Sequence, residues 1–234
     1  MEKKLSILMK LWTVEAILND LKTQTRRPIN PQPIFQMTCA PSGLFVWKGE
    51  KYSGRMKNRA RDKSAGFADC CRYGKIGDEL YVKETFYAYG KWERTSAKTK
   101  KLGNDKWKFI DLTGKMSVKY FYENDPPKLV QKGISEKVGY YKRPAVFMPF
   151  RASRVGIKIT NLRAEQIQNI STEDIIAEGL STNLREHDAE CHLREKFSNV
   201  WDEINKDRGF GFDSKCWVWA ITFEKFLLKN GAKI

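Results

Sequence analysis

The chain has 234 residues, 41% of them hydrophobic, and seven tryptophans, enough to bury a substantial core and to exclude a disordered chain. Forty-three Lys+Arg against 28 Asp+Glu leave a formal charge of +15, which suits a polyanionic partner because each neutralised phosphate releases a condensed counterion. No apolar run reaches the ~18 residues of a membrane span, and the charged start "MEKKLSILMK" has no signal-peptide core, so a cytoplasmic protein without a membrane partner is expected. The competing reading of the charge is a basic protein kept soluble by self-repulsion.

Five cysteines, an odd number in no regular framework, fit reduced thiols. Cys70 and Cys71 are adjacent and do not form a CxxC knuckle. His187 and Cys191 are four apart on an expected helix, but two ligands make no zinc site, so neither a metal nor a cofactor is expected.

In chain order, Val14, Ile17, Leu18 and Leu21 follow helical spacing and predict a helix over 12–20, stopped before Pro28. Residues 30–72 read as irregular chain with short strands. Gly77-Asp78 marks a turn into a strand carrying Leu80 and Val82. Residues 88–142, rich in lysine and aromatics, read as an insertion of hairpins and loops with a small sheet of its own. Val155, Ile157 and Ile159 alternate as a strand. Ser171 is placed to cap a short helix over 171–178, with Asp174 at the capping-box position and Gly179 at its end. Leu193, Phe197, Trp201 and Ile204 stripe a helix over 186–205. The strand "CWVWAITFEKF" closes the chain, with Trp217, Trp219, Ile221 and Phe223 on one face. The sum is α+β, a mostly antiparallel and barrel-like sheet with flanking helices, in one domain spanning 1–234.

Three constellations carry chemistry. In "LKTQTRRP", Lys22 follows a helix. If that helix keeps one more turn, Lys22 and Thr25 meet at i, i+3; if the chain goes extended, they fall on opposite faces. Arg26, Arg27 and burial would all disfavour a protonated Lys22, leaving it able to take a proton from Thr25 or a water. Taken alone, the segment is better read as a phosphate-binding corner. In "RPAVFMPFRASR", Arg143, Arg151 and Arg154 flank a rigid stretch and suit phosphate oxygens, an anion-binding edge. Glu178 stands at a helix C-terminus, where an acid opposes the macrodipole unless a cation compensates. By itself it reads as a solvated glutamate.

"AILNDLKTQTRRPI", "GKIGDELYVKETF", "RPAVFMPFRASRVGIKITNLRAEQIQNISTEDIIAEGL" and "WVWAITFEKF" resemble the ASCH-domain proteins of the PUA-like superfamily. The arrangement is closest to versions carried by bacteriophages and prophages. The resemblance covers most of 11–86 and 143–226. It implies a small β-barrel with helices over its openings and a cleft for nucleic acid or a nucleoside. In a phage setting the protein would act in the cytoplasm of a bacterial host. Small bacterial members deacetylate acetylated cytidine, and their K-x-x-T pattern with a later glutamate falls on Lys22 (proton acceptor), Thr25 (nucleophile) and Glu178 (proton donor). Other members are linked to RNA binding or cleavage. Asp20 stands where the family has glycine, a substitution that still tolerates left-handed backbone. Arg27-Pro28 and the long basic, aromatic additions also depart from the small hydrolases, and suit a long nucleic-acid ligand better than a free nucleoside.

The leading expectation is therefore a nucleic-acid-binding protein, RNA ahead of DNA, or one that recognises a modified base. Lys22, Thr25, Arg26 and Glu178 would line its centre, with Arg27, Arg143, Arg151 and Arg154 on the nucleic acid. The alternatives are an amidohydrolase on acylated cytidine-type nucleosides and a phage structural or assembly protein.

Overall fold

The computed structural model describes residues 4–36, 44–53, 67–98, 103, 105–183, 186–229 and 232–233. It is mixed α+β and mostly sheet. The strands are β1 Leu5–Leu8, β2 Gln24–Pro28, β3 Ile34–Gln36, β4 Leu44–Trp47, β5 Glu50–Ser53, β6 Glu79–Lys83 and β7 Phe86–Lys98. They continue with β8 Asp105–Asp111, β9 Phe121–Tyr122, β10 Gly139–Arg143, β11 Val155–Gln166, β12 Trp217–Lys229 and β13 Ala232–Lys233. The helices are α1 Leu11–Leu18, α2 Thr172–Ala177 and α3 Glu186–Asn205. Among the described residues no sheet closes into the expected barrel, and no helix is long and apolar enough to cross a membrane.

The chain divides into two compact units. The first gathers Met1–Leu5, Glu15–Leu80 and Val155–Phe226; the second gathers Ser6–Val14, Tyr81–Arg154 and Leu227–Ile234. The 88–142 stretch thus supplies much of the second unit, which also takes in chain from near both ends.

In the first unit β12 runs between β11 and β2. Its antiparallel register with β2 sets Ile221 opposite Thr25, Ala220 opposite Arg26 and Trp219 opposite Arg27. Directly opposed residues share a face, so this register decides which β2 side chains point together. On one face Val218 joins Ile167, Ile170, Ile175, Leu193, Phe197 and Trp201, the core under α2 and α3. On the other, the Trp219 ring lies 4.9 Å from Phe67, which meets Trp47 edge-on at 5.7 Å. Of the face expected for Trp217, Trp219, Ile221 and Phe223, the last three are buried and Trp217 is partly so, but Val218 and Ala220 are buried as well, because both faces of the strand are covered.

α2 forms where its cap predicts. The Ser171 side chain accepts a hydrogen bond from the Asp174 amide, satisfying one of the orphan donors of the first turn. Ser171→Ala should cost about 1 kcal/mol in a denaturant titration. A change well below ~0.5 kcal/mol would show that tertiary packing alone holds α2.

The second unit is built on β7, which pairs with β10 on one side and β8 on the other, β9 adding a short pair. Phe86, Ala88, Met148 and Ala152 form its core, with Phe109, Tyr120 and Tyr122 packed against them. Gly90 is required there: a Cβ would stand 2.2 Å from the Ile110 carbonyl oxygen and 2.7 Å from the Phe109 ring.

Candidate functional site

Two helix ends in the first unit set the positions of Lys22 and Glu178. α1 stops in a Schellman arrangement: Asp20 donates its amide to Ile17 O at 3.2 Å and Leu21 donates to Ala16 O at 2.8 Å. Asp20 is the left-handed residue of that cap, at φ 60°, the role expected of it in place of glycine. α2 ends the same way, with Gly179 at φ +90°, its amide on Ile176 O and the Leu180 amide on Ile175 O. A Cβ on Gly179 would sit 3.2 Å from both the Ala16 and Lys22 Cβ atoms. The chain after α1 is tied to α2 directly, Thr23 N donating to Ala177 O at 2.9 Å.

Lys22 is buried, and its Nζ donates to the Glu178 carboxylate at 2.5 Å and to the Glu178 backbone carbonyl at 2.7 Å. The ammonium thereby satisfies a terminal carbonyl of α2 and compensates the acid at a helix C-terminus. Glu178 is not the solvated glutamate that its sequence position alone suggested. Its other oxygen accepts from Arg26 Nη1 at 3.3 Å.

Arg26 extends the network, donating to Glu165 at 2.8 Å, to Asp174 at 2.6 Å and to the Gln24 side-chain oxygen at 2.5 Å. Arg163 bridges Glu165 and Asp174. Side-chain exposure rises from 0% at Arg26 to 10% at Glu178 and 19% at Asp174 and Arg163, so the cluster meets solvent at the Asp174–Arg163 pair.

Burial pushes the Lys22 pKa below its ordinary 10.5; Glu178 opposes that shift, and the Arg27 and Arg26 charges reinforce it. Arg27 is partly buried, with its own pKa lowered by desolvation against the favourable influence of Tyr73 and Glu178. The centre is therefore a desolvated pair of cations, Lys22 and Arg26, that meet at Glu178 and, through Arg26, at Glu165 and Asp174. It can fix the Glu178 carboxylate through both oxygens and present an amine that gives up its proton more readily than an exposed lysine.

Thr25 is placed differently. The helix does not take another turn beyond α1, and residues 24–28 are strand, so the i, i+3 apposition of Lys22 and Thr25 is not the geometry adopted. Thr25 is buried opposite Ile221, and strand alternation sets it on the other face of β2 from Gln24 and Arg26. Lys22, Glu178 and Arg26 converge; Thr25 shares its face with Arg27.

No family model, curated protein or solved structure matches this chain. The case for function rests on the chemistry of the residues themselves.

The three arginines of the expected anion-binding edge lie in the second unit and are set in different surroundings. Arg154 grips the buried Glu84 with two hydrogen bonds of 2.8 Å and stacks over Tyr122 at 4.3 Å. Arg151, on the surface, holds Asp111 at 2.9 Å and the Tyr120 hydroxyl at 2.7 Å. Both forks are thus engaged by the protein's own acceptors. Arg143 is buried among aromatic rings. Glu84→Ala should destabilise the protein by about 3–5 kcal/mol, because a partly buried guanidinium loses its carboxylate. A loss below ~1 kcal/mol in a urea titration would show the pair to be ornamental.

Sequence reasoning missed Gln24, Arg163, Glu165 and the side-chain role of Asp174. One signal was available: Arg163 and Glu165 are charged residues two apart near the end of an apolar strand, and so share a face. Among the described residues no cluster of three metal-ligating side chains occurs, and the His187–Cys191 pairing lies outside them because the His187 side chain is not described.

Proposed function

We propose that this chain is a nucleic-acid-binding protein of the ASCH/PUA-like type that recognises a base, with RNA the preferred partner, through the Lys22–Arg26–Glu178 centre of the first unit. The observation that carries the reading is the buried Lys22–Glu178 pair. A lysine made less basic by burial, fixed against a carboxylate and flanked by the buried Arg26 and the partly buried Arg27, is the kind of cluster that marks functional sites. The formal charge of +15 supports a polyanionic ligand. Recognition would use Glu178 as acceptor and the cationic side chains as donors to the base edge, with surface lysines on phosphates. A filter-binding titration against single-stranded and duplex RNA and DNA tests this. Binding at low salt that weakens steeply as salt rises is the expected outcome; no binding at low salt, or binding indifferent to salt, refutes it.

The Lys22–Glu178 contact also favours a second reading, amide hydrolysis on an acylated cytidine-type base, with Lys22 accepting a proton and Glu178 returning one to the leaving amine. Thr25 would supply the nucleophile, and its position on the opposite face of β2 requires the substrate to reach both faces at the strand's start. Turnover of acetylated cytidine by wild type, abolished in Thr25→Ala, is the expected sign of this activity. Equal rates in the two proteins refute it.

A further inference from the structure

Arg143 in the second unit differs from its two neighbours. It is 8% exposed, and its guanidinium carbon lies 4.6 Å from the Trp92 ring, 4.4 Å from Phe109 and 4.9 Å from Phe147. Among the described residues its fork makes no hydrogen bond and no ion pair. Asp111, the one carboxylate among the described residues that acts on it through space, is already held by Arg151 and Tyr120. Beside it, the Trp92 indole nitrogen is buried with no hydrogen-bond partner. A buried donor without an acceptor is costly in a folded protein and calls for an explanation, and the guanidinium beside it keeps a small exposed edge with no protein acceptor among the described residues. Phe147 sits 61% exposed at the edge of the same cluster, a large ring that the fold itself does not cover.

The sequence builds this arrangement deliberately. Trp92 and Phe109 are paired across β7 and β8, and Gly90, two residues before Trp92, leaves room for the Phe109 ring. Arg143 ends β10, opposite Phe86 on β7, and the turn of 145–147 carries Phe147 back to the guanidinium.

We propose that Arg143, Trp92 and Phe147 form a nucleotide subsite for single-stranded nucleic acid, in which the Arg143 fork takes acceptor oxygens of a phosphate and Phe147 stacks on the adjoining unpaired base. An arginine held among rings keeps its planar guanidinium fork, the geometry that matches two phosphate oxygens. A base in a duplex has both faces covered by its neighbours, so only an unstacked base can lie on Phe147. The subsite rests on the reading of the chain as a nucleic-acid binder and adds strand type and a second point of contact to it.

The test is binding of a fluorescent single-stranded uridine 20-mer to wild type, Phe147→Ala, Phe147→Trp and Arg143→Lys, with a thermal melt of each. Phe147 is exposed, so its variants should melt with wild type. Phe147→Ala should bind about tenfold more weakly, the worth of one stacked base, and Phe147→Trp should restore or exceed wild-type affinity. Arg143→Lys keeps the charge and loses the fork, so affinity should fall while the salt slope stays unchanged. Wild-type affinity in both Phe147→Ala and Arg143→Lys overturns the subsite and leaves the binding function standing. Failure of wild type itself to bind any nucleic acid overturns both.

Discussion

Lys22→Met should destabilise the protein by about 3–5 kcal/mol, because it leaves a buried carboxylate with only the longer Arg26 contact. Glu178→Leu should cost a similar amount for the converse reason, a buried ammonium without its acid. The double variant should recover most of that loss, since replacing a whole buried ion pair by apolar side chains of similar volume is often neutral. A denaturant titration of the four proteins measures the coupling directly, and additive losses would show that the two groups do not act as a pair. The pH dependence carries a matching sign. Lys22 is a base whose folded-state pKa lies below its ordinary 10.5, so between those two values the unfolded chain binds more protons. Wild-type stability should therefore rise with pH through that window, and Lys22→Met should lack the rise. A wild-type curve that falls there, matched by the variant, would contradict the burial-driven shift.

The second large effect is on nucleic-acid affinity. Engagement of six to ten phosphates predicts a loss of about 10³–10⁵ in affinity between 50 and 200 mM salt. A formal charge of +15 can supply that many contacts from exposed lysines, without the engaged guanidinia of Arg151 and Arg154. Substituting Arg154 should accordingly change stability far more than the salt slope. A log–log plot of affinity against salt gives the slope, and a value near zero would mean that the positive charge serves solubility instead.

Much of the fold was legible because local signals and burial agreed. α3 was readable from the Leu193–Phe197–Trp201 stripe, and those residues are buried in the first unit's core. The Ser171 cap and the Gly179 stop fixed α2. β11 followed from Val155, Ile157 and Ile159, all at 1% exposure or less. The site was only half legible. Lys22 and Glu178 are 156 residues apart, and their meeting depends on two Schellman caps bringing two helix ends together, which periodicity does not encode. The position of Thr25 turned on whether the helix continued beyond α1, and the left-handed Asp20 ended it. The fates of Arg151 and Arg154 were hidden for a different reason: their carboxylates, Asp111 and Glu84, lie 40 and 70 residues away.

The most direct test of the central claim separates stability from recognition at the Lys22–Glu178 centre. Single-strand RNA affinity at 50 mM salt should be measured for the stability-restored Lys22→Met/Glu178→Leu protein. The proposed function predicts a loss of about tenfold to a hundredfold, the worth of a charge-assisted hydrogen bond to the ligand. Wild-type affinity in that folded double variant would show that the buried pair only holds two helix ends together.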